Sequence, residues 1–432
     1  MLHPRSLIER RDDVVESCRR RHMDVNVDDA IALHERVTSA QQQIDDVRRQ
    51  RNEHQAAGKR KLSPEERQAH VAEGRRLKEQ VAQQEQALTA ARAQFDTVLA
   101  TIPNFLHPEV PEGGEDEGRE LKRVGQPPVF DFDAKDHLGV AAGLDGIDFE
   151  SGAKVAGKKF YFLKNDLVLL ELALQRFALD ALLGEGFTPF VTPDLARADI
   201  VAGLGFNPRG DETQIYSVAN TDLCLIGTAE IPLGGMHADT ILDEASLPLR
   251  YAGISHCFRT EAGAHGRESK GLYRVHQFTK VEMFAFTKPE DSDGMHDELL
   301  RIEESLYQRL ELPYRVLDVA AGDLGAPAYR KFDIEAWMPG RGEGGQWGEV
   351  TSTSNCTDYQ ARRLRVRFRR TETKKNDYVH MLNGTAIANS RAVVALLENH
   401  QRADGTVHVP RELQPYVGRE VLQPPAPRNA GD

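Results

Sequence analysis

Apolar residues at Ala30, Leu33, Val37, Ala40, Ile44 and Val47 recur at alternating steps of three and four, the spacing of a coiled-coil seam. A second stripe, Gly74, Leu77, Val81, Gln84, Leu88, Ala91, Phe95, Val98 and Ile102, repeats the pattern and stops before Pro103. Between the two, Ser63-Pro64-Glu65-Glu66 reads as a helix start, with Ser63 as cap, Pro64 in the first turn and Glu66 completing a capping box. Gly58 and the basic run Lys59-Arg60-Lys61 fit the tip of a hairpin whose two helices face each other. At ~1.5 Å per residue, helices of about thirty to forty residues reach roughly 45 to 60 Å, beyond the edge of a compact domain. The pattern predicts a projecting antiparallel hairpin over about residues 28–102, within an N-terminal domain 1–108. On the heptads alone, a coiled coil for dimerisation is the favoured reading of that hairpin.

After the arm the pattern breaks. The stretch from Pro108 to Gly118 is rich in proline, glycine and acidic residues, so 109–128 reads as a solvated linker. From about Val129 the chain mixes helices with short alternating strands, which predicts a second domain over 129–420. Leu167 to Leu183, interrupted by Glu171, Gln175, Arg176 and Asp180, reads as an amphipathic helix. Leu249 through Phe286 reads as a strand–loop–strand unit, with alternation at Tyr273, Val275 and Gln277 and again at Val281, Met283 and Ala285. The fold class is therefore α+β, an antiparallel sheet flanked by helices. Residues 421–432, rich in proline, alanine and glycine, read as a disordered tail.

Charge narrows the function classes. Lys and Arg total 55 against 67 Asp and Glu, a net charge of −12, which speaks against coating nucleic acid with the whole surface but leaves room for a local basic face. Candidates for such a face are Arg19 to Arg21, Arg48, Arg49 and Arg51, Lys59 to Lys61, and Arg362 to Arg370; any one of these runs, taken alone, is more often a solvated surface. No apolar run follows Met1, so a cytoplasmic protein without a membrane partner is expected. Cys18, Cys224, Cys257 and Cys356 lie far apart, with no Cys-X-X-Cys pair to hold zinc.

The segment 248–287, with Phe258-Arg259-Thr260-Glu261 and Arg274-Val275-His276-Gln277-Phe278, resembles motif 2 of class II aminoacyl-tRNA synthetases. Thr228-Ala229-Glu230 and Lys280-Val281-Glu282 are similar to the seryl-tRNA synthetases, bacterial type, in particular. Gly348-Glu349-Val350-Thr351-Ser352 with Gln360 to Arg363 resembles that family's signature before motif 3. Leu382-Asn383-Gly384-Thr385 through Arg391 resembles motif 3 itself, and Gly186 to Pro193 looks like motif 1 with its proline. The resemblance covers nearly the whole chain, because that family also carries an N-terminal helical hairpin, and this favours a tRNA-holding arm over a generic coiled coil.

The resemblance implies serine–tRNA ligation: activation of L-serine with ATP to seryl-adenylate, then transfer to the 3′-terminal adenosine of tRNA(Ser). It implies Arg259, Glu261 and Arg391 as catalytic residues, and Thr228, Ala229, Glu230, Arg259, Glu282 and Thr385 around serine. ATP would meet Arg259, Thr260, Glu261, Arg274, Val275, Phe278, Glu349, Val350, Thr351, Ser352 and Arg391, with Phe278 and Arg391 stacking on adenine. Glu349 and Ser352 would hold Mg2+ with ATP, Pro193 would lie in a homodimer interface, and Arg48, Arg49, Arg51, Lys59, Arg60 and Lys61 would meet tRNA. These residue types suit the chemistry. A carboxylate attacking a phosphorus needs anions positioned and offset, guanidinium groups fork to their oxygens, and oxygen-only ligands suit magnesium. An isolated Arg-X-Glu, by contrast, is more often a cross-strand ion pair. Thr385 stands where the family often has serine; it keeps the hydroxyl and adds a methyl. Two rivals keep the same fold: a paralogue adenylating serine or a close analogue for a non-translational acceptor, and a non-catalytic RNA-binding relative.

Overall fold

In the computed structural model, which describes residues 1–59, 62–206, 214–262 and 271–425, the two heptad stripes become long helices. The first, α1, spans Val27–Ala57 and is capped by the Asn26 side chain, which accepts from the amides of Asp28 and Asp29. The second, α2, spans Pro64–Thr101. Its capping box is complete: the Glu66 amide donates to Ser63 Oγ at 3.2 Å and the Ser63 amide to Glu66 Oε2 at 2.8 Å. Ala30 and Ile44 of α1, Leu77, Val81, Phe95 and Leu99 of α2, and Ile102 just after it are buried, and the other stripe positions are half-buried. Two short helices, Pro4–Glu9 and Arg11–Arg20, also belong to this unit through buried Leu7, Val14 and Cys18. The chain divides after Phe105 into two units, Met1–Phe105 and Leu106–Asp432.

The second unit is built on an eight-stranded sheet. Its strands are β1 (Arg119–Val124), β2 (Thr188–Val191), β3 (Leu249–Phe258), β4 (Gln277–Thr287), β5 (Tyr314–Asp318), β6 (Arg330–Met338), β7 (Gln346–Asn355) and β8 (His380–Ala388). Their spatial order is β1-β5-β6-β7-β8-β4-β3-β2, antiparallel throughout except for the parallel β2–β3 pair. Helices α3 (Asp166–Gly184), α4 (Ser292–Arg309) and α5 (Asn389–Asn399) join the main core through Leu170, Leu174 and Phe177, through Leu299, Ile302 and Leu306, and through Val393, Leu396 and Leu397. No helix among the described residues is long and apolar enough to cross a membrane.

The alternation along β4 divides the labour of the sheet. Val281, Met283 and Ala285 enter the main core, while the residues between them point to the opposite face. There Phe284 and Phe286 join a second apolar cluster with Leu204, Leu233, Val366 and Met381, and Phe278, Lys280 and Glu282 line an open cleft.

Three expectations need correction. The stretch 109–128 is not a free linker: Val110 is buried beside Val319 and Leu324, the Ala321 amide donates to Pro111 O at 2.9 Å, and β1 forms the sheet's edge. A sheet edge tolerates an exposed, charged strand, so Arg119–Val124 carries no alternation for a sequence reading to find. Tyr273 and Val275 precede the strand, in and just after a short 3-10 turn at Gly271–Tyr273. The tail begins ordered, with Val421–Leu422 paired to Val407–His408; residues 426–432 lie outside the described chain.

Candidate active site

The open face of the sheet bounds a cleft of about 360 Å³. Its lining includes Thr228, Glu230, Arg259, Glu261, Arg274, Val275, Phe278, Glu282, Glu349, Val350, Thr351, Ser352, Thr385 and Arg391, all expected from the sequence. Two expected residues do not line it: Ala229 is buried in the second apolar cluster, and Thr260 is half-buried, its amide donating to Gln214 O and its hydroxyl accepting from the Ala262 amide.

Arg259 follows directly on β3, and its backbone is tied to His276: its amide donates to His276 O at 3.0 Å, and its own carbonyl meets His276 Nδ1 at 2.9 Å. The histidine thus acts as a clasp at the base of the β3–β4 connection. The guanidinium of Arg259 reaches Gly227 O at 3.4 Å and stands 5.3 Å from the Phe278 ring. Glu261 takes a left-handed backbone conformation (φ 51°) that turns its carboxylate toward Arg274, at 3.5 Å.

At the other end of the cleft, Arg391 in the first turn of α5 pairs with Glu349 Oε1 at 2.9 Å and lies 4.9 Å from the Tyr273 ring. Burial raises the Glu349 carboxyl, but the charges of Arg391, Lys331 and Arg259 outweigh it and hold the group at about 2. Glu349 is therefore an ionised oxygen donor facing the cleft beside Ser352. Asp333 sits opposite Ser352 in the β6–β7 register, raised to about 7 by burial against the pull of Lys331.

The deepest part is an acid cluster. Glu230 Oε1 accepts from Gln360 Nε2 at 2.7 Å and Asn383 Nδ2 at 3.0 Å, and burial with the charge of Glu282 pushes Glu230 up to about 7. Glu282, itself raised by burial, forms an ion pair with Lys280 and accepts from Thr385 Oγ1 at 3.4 Å; Lys280 Nζ also reaches Thr385 Oγ1 at 3.4 Å. Removing either member of such a buried pair leaves the other charge unpaired, which costs about 3–5 kcal/mol. An apolar floor would be easier to fold. The retained charges mark a surface shaped for a polar, charged guest.

Residues 216–400 match the family model for the tRNA synthetase class II core domain (G, H, P, S and T), and residues 1–106 match that for the seryl-tRNA synthetase N-terminal domain. The serine–tRNA ligase of Rhodopirellula baltica is 54% identical over 98% of this chain and all of its own length. That of Treponema denticola is 52% identical over 97% and 99%. The chain belongs to the seryl-tRNA synthetase family. Among solved structures, the Pyrococcus horikoshii seryl-tRNA synthetase complexed with ATP superposes with a TM-score of 0.91 at 40% identity, covering 98% of this chain and 100% of that one. The Naegleria fowleri cytoplasmic enzyme in complex with AMP gives 0.83 at 34%, covering 95% of each.

Reading the sequence alone missed several residues of this synthetase's cleft. Lys280, Tyr273, Lys331 and Asn383 line it, and Gln360 supports Glu230 from behind. Lys280 stands one period of two from Glu282 on the same strand, the signal that could have found it. Lys331 arrives from a distant segment and left no local trace, while Gln360 stood in the signature before motif 3 without any sign that it would support Glu230. In the arm, Arg48 pairs with Glu85 at 2.8 Å and Arg49 with Asp46 at 2.9 Å, both in water-exposed settings. Arg51 is half-buried, Lys59 is exposed, and Arg60 and Lys61 lie outside the described residues. Pro193 is exposed just after β2.

Proposed function

We propose that the cleft carries out serine activation with the following division of roles. The chain is a serine–tRNA ligase, an ATP-dependent enzyme of class II. The observation that carries the assignment of roles is the pairing of two unlike ends in one cleft: an acid cluster at Glu230 and Glu282, and a cation-rich wall at Arg259, Arg274 and Arg391. The acid end receives the serine ammonium and hydroxyl. Arg259, between the ends, bridges the serine carboxylate and the α-phosphate, offsetting the charge that builds as the carboxylate attacks phosphorus.

Phe278 and Arg391 bracket the adenine, and Glu261 accepts from its edge. Thr385 and Glu282 form a hydroxyl–carboxylate pair that a serine side chain can join; alanine would leave it without a partner, so discrimination needs no editing site. Glu349 and Ser352 fit Mg2+, since one is held ionised and both present oxygen, and a bound ion there would neutralise phosphate charge.

Transfer places the tRNA 3′-terminal adenosine at the same cleft, while the arm holds tRNA(Ser) through Arg48, Arg49, Arg51 and Lys59 to Lys61. Two copies pair through the region of Pro193, supported by exposed Val191 (86%) and Leu172 (57%). The enzyme works in the cytoplasm. Amino-acid-dependent ATP–pyrophosphate exchange across the twenty amino acids is the direct test. Strong exchange with serine alone, followed by charging of tRNA(Ser), is the expected result; exchange with another amino acid, or none, overturns the roles.

A further inference from the structure

Glu303, on α4, is fully buried and has no role in the chemistry above. Its carboxyl lies behind the sheet, against Gly384 of β8: a Cβ on that glycine would stand 2.8 Å from Glu303 Oε1 and 3.1 Å from Thr353 Oγ1. The glycine is therefore the space the carboxyl occupies. On either side of it, Asn383 and Thr385 face the cleft, one donating to Glu230 at 3.0 Å and the other to Glu282 at 3.4 Å.

The hydroxyls around Glu303 have already spent their protons. Thr353 Oγ1 donates to Asn383 O at 2.9 Å, and Thr351 Oγ1 donates to Thr385 O. Each can now only accept. Among the described residues, neither carboxyl oxygen of Glu303 has a hydrogen-bond partner of good geometry. An ionised carboxylate here would press lone pairs against lone pairs, whereas a protonated one can donate to a threonine oxygen and complete a chain from α4 through β7 to β8. Burial together with the like charges of Glu282 and Asp333 acts in the same direction and outweighs the opposing pull of the Thr351 hydroxyl and the Lys280 charge, raising the group well above the usual carboxylate range.

We propose that Glu303 is a positioning residue held as a neutral acid, whose proton, passed as a hydrogen bond to the β7 threonines, fixes the Asn383–Gly384–Thr385 segment that reads serine. This rests on the assignment of Glu230, Glu282 and Thr385 to the serine pocket.

Three variants of the full-length chain test it: Glu303→Gln, which keeps a neutral donor; Glu303→Met, which keeps the volume without one; and Thr353→Val, which removes the acceptor on β7 and lies outside the cleft lining. In serine-dependent exchange, E303Q should stay within about threefold of wild type, roughly the factor that separates one good hydrogen bond from another. E303M and T353V should raise the KM for serine about tenfold or more with the KM for ATP unchanged, as loss of about one hydrogen bond's worth of ordering requires. A merely structural role would instead lower the melting temperature without splitting the two KM values. E303M with wild-type serine KM, or E303Q as impaired as E303M, overturns the proposal.

If E303M fails to fold, T353V against Thr353→Ser gives the same comparison. Infrared difference spectra of wild type minus E303Q read the proton directly: a protonated carboxyl band at neutral pH is expected, and its absence overturns the proposal. That measurement holds even if serine proves not to be the substrate, so failure of the pocket assignment and failure of the Glu303 inference remain distinct.

Discussion

Along α1 and α2, charged side chains stand in water and pair with neighbours: Arg49 with Asp46, Arg76 with Glu73, and Arg48 across to Glu85. Pairs of this kind contribute about 0–1 kcal/mol each, so the hairpin is held by its narrow apolar seam and its caps. In and beside the cleft the same residue types are buried or half-buried, and Glu230, Glu282, Glu349 and Asp333 are each driven away from the ordinary carboxylate range. The arm's charges are available to a large solvated partner at little cost. The cleft's charges are costly, and they stay because a small polar guest completes them. One region is built to be replaceable in detail and the other is not.

The sharpest test of that contrast is Arg259→Ala. It should lower serine-dependent exchange by about 10³-fold, in the upper range for losing a transition-state charge contact, while circular dichroism and melting temperature stay near wild type. A folded variant with near-normal exchange would break the comparison at its centre. Next in size is removal of most of the hairpin, from Val37 to Phe95, with a short turn joining the ends. Every lining residue of the cleft lies between Glu115 and Arg391, so exchange should survive while tRNA charging falls by orders of magnitude. Loss of exchange with charging retained in charge-neutralised arms would make the hairpin a folding element instead.

The arm was legible because its information is local. Heptads, caps and a basic tip lie in consecutive residues, and the capping box at Ser63 and Glu66 appears in the structure with both of its hydrogen bonds. The cleft was legible only through family resemblance, since Thr228, Arg259, Glu349 and Arg391 come from segments more than thirty residues apart and no period links them. What resemblance to motifs could not supply was support from outside them. Lys331 enters the cleft from β6, and Glu303 backs Gly384 from behind the sheet. The edge strand β1 was hidden for the opposite reason: its charged composition imitates a linker.

A moderate effect should come from pH. Glu230 moves from an ordinary 4.5 to about 7 on folding, through burial first and the charge of Glu282 second. Between those values the folded chain holds a proton that the unfolded chain has lost, so this group's contribution to stability declines as pH rises from 4.5 toward 7. Glu349 acts with the other sign: held at about 2, it contributes stability above 4.5 that is lost as pH falls toward 2. For binding, the serine ammonium needs Glu230 ionised. The KM for serine should therefore fall as pH rises through about 7, by up to about tenfold per pH unit on the acid side. Glu230→Gln should flatten the profile. A wild-type KM indifferent to pH across that range would remove Glu230 from the ammonium site.

The smallest effect is expected where charge is cheapest. Arg49 and Lys59 are both exposed, and Arg49's ion pair with Asp46 is a surface pair between side chains 68% and 57% exposed. Replacing either with glutamine should change the melting temperature by little, because the seam residues Ile44, Leu77 and Val81 are untouched. Duplex RNA is held mainly through its shape and backbone, so each lost phosphate contact should weaken tRNA(Ser) binding alike for all isoacceptors. Each should also reduce the slope of log affinity against log salt by about one. Exchange measured without tRNA should not change at all. If the salt slope is unaltered in both variants while binding stays tight, the arm's tRNA face lies elsewhere on the hairpin, and the cheap charges at Arg49 and Lys59 serve solubility alone.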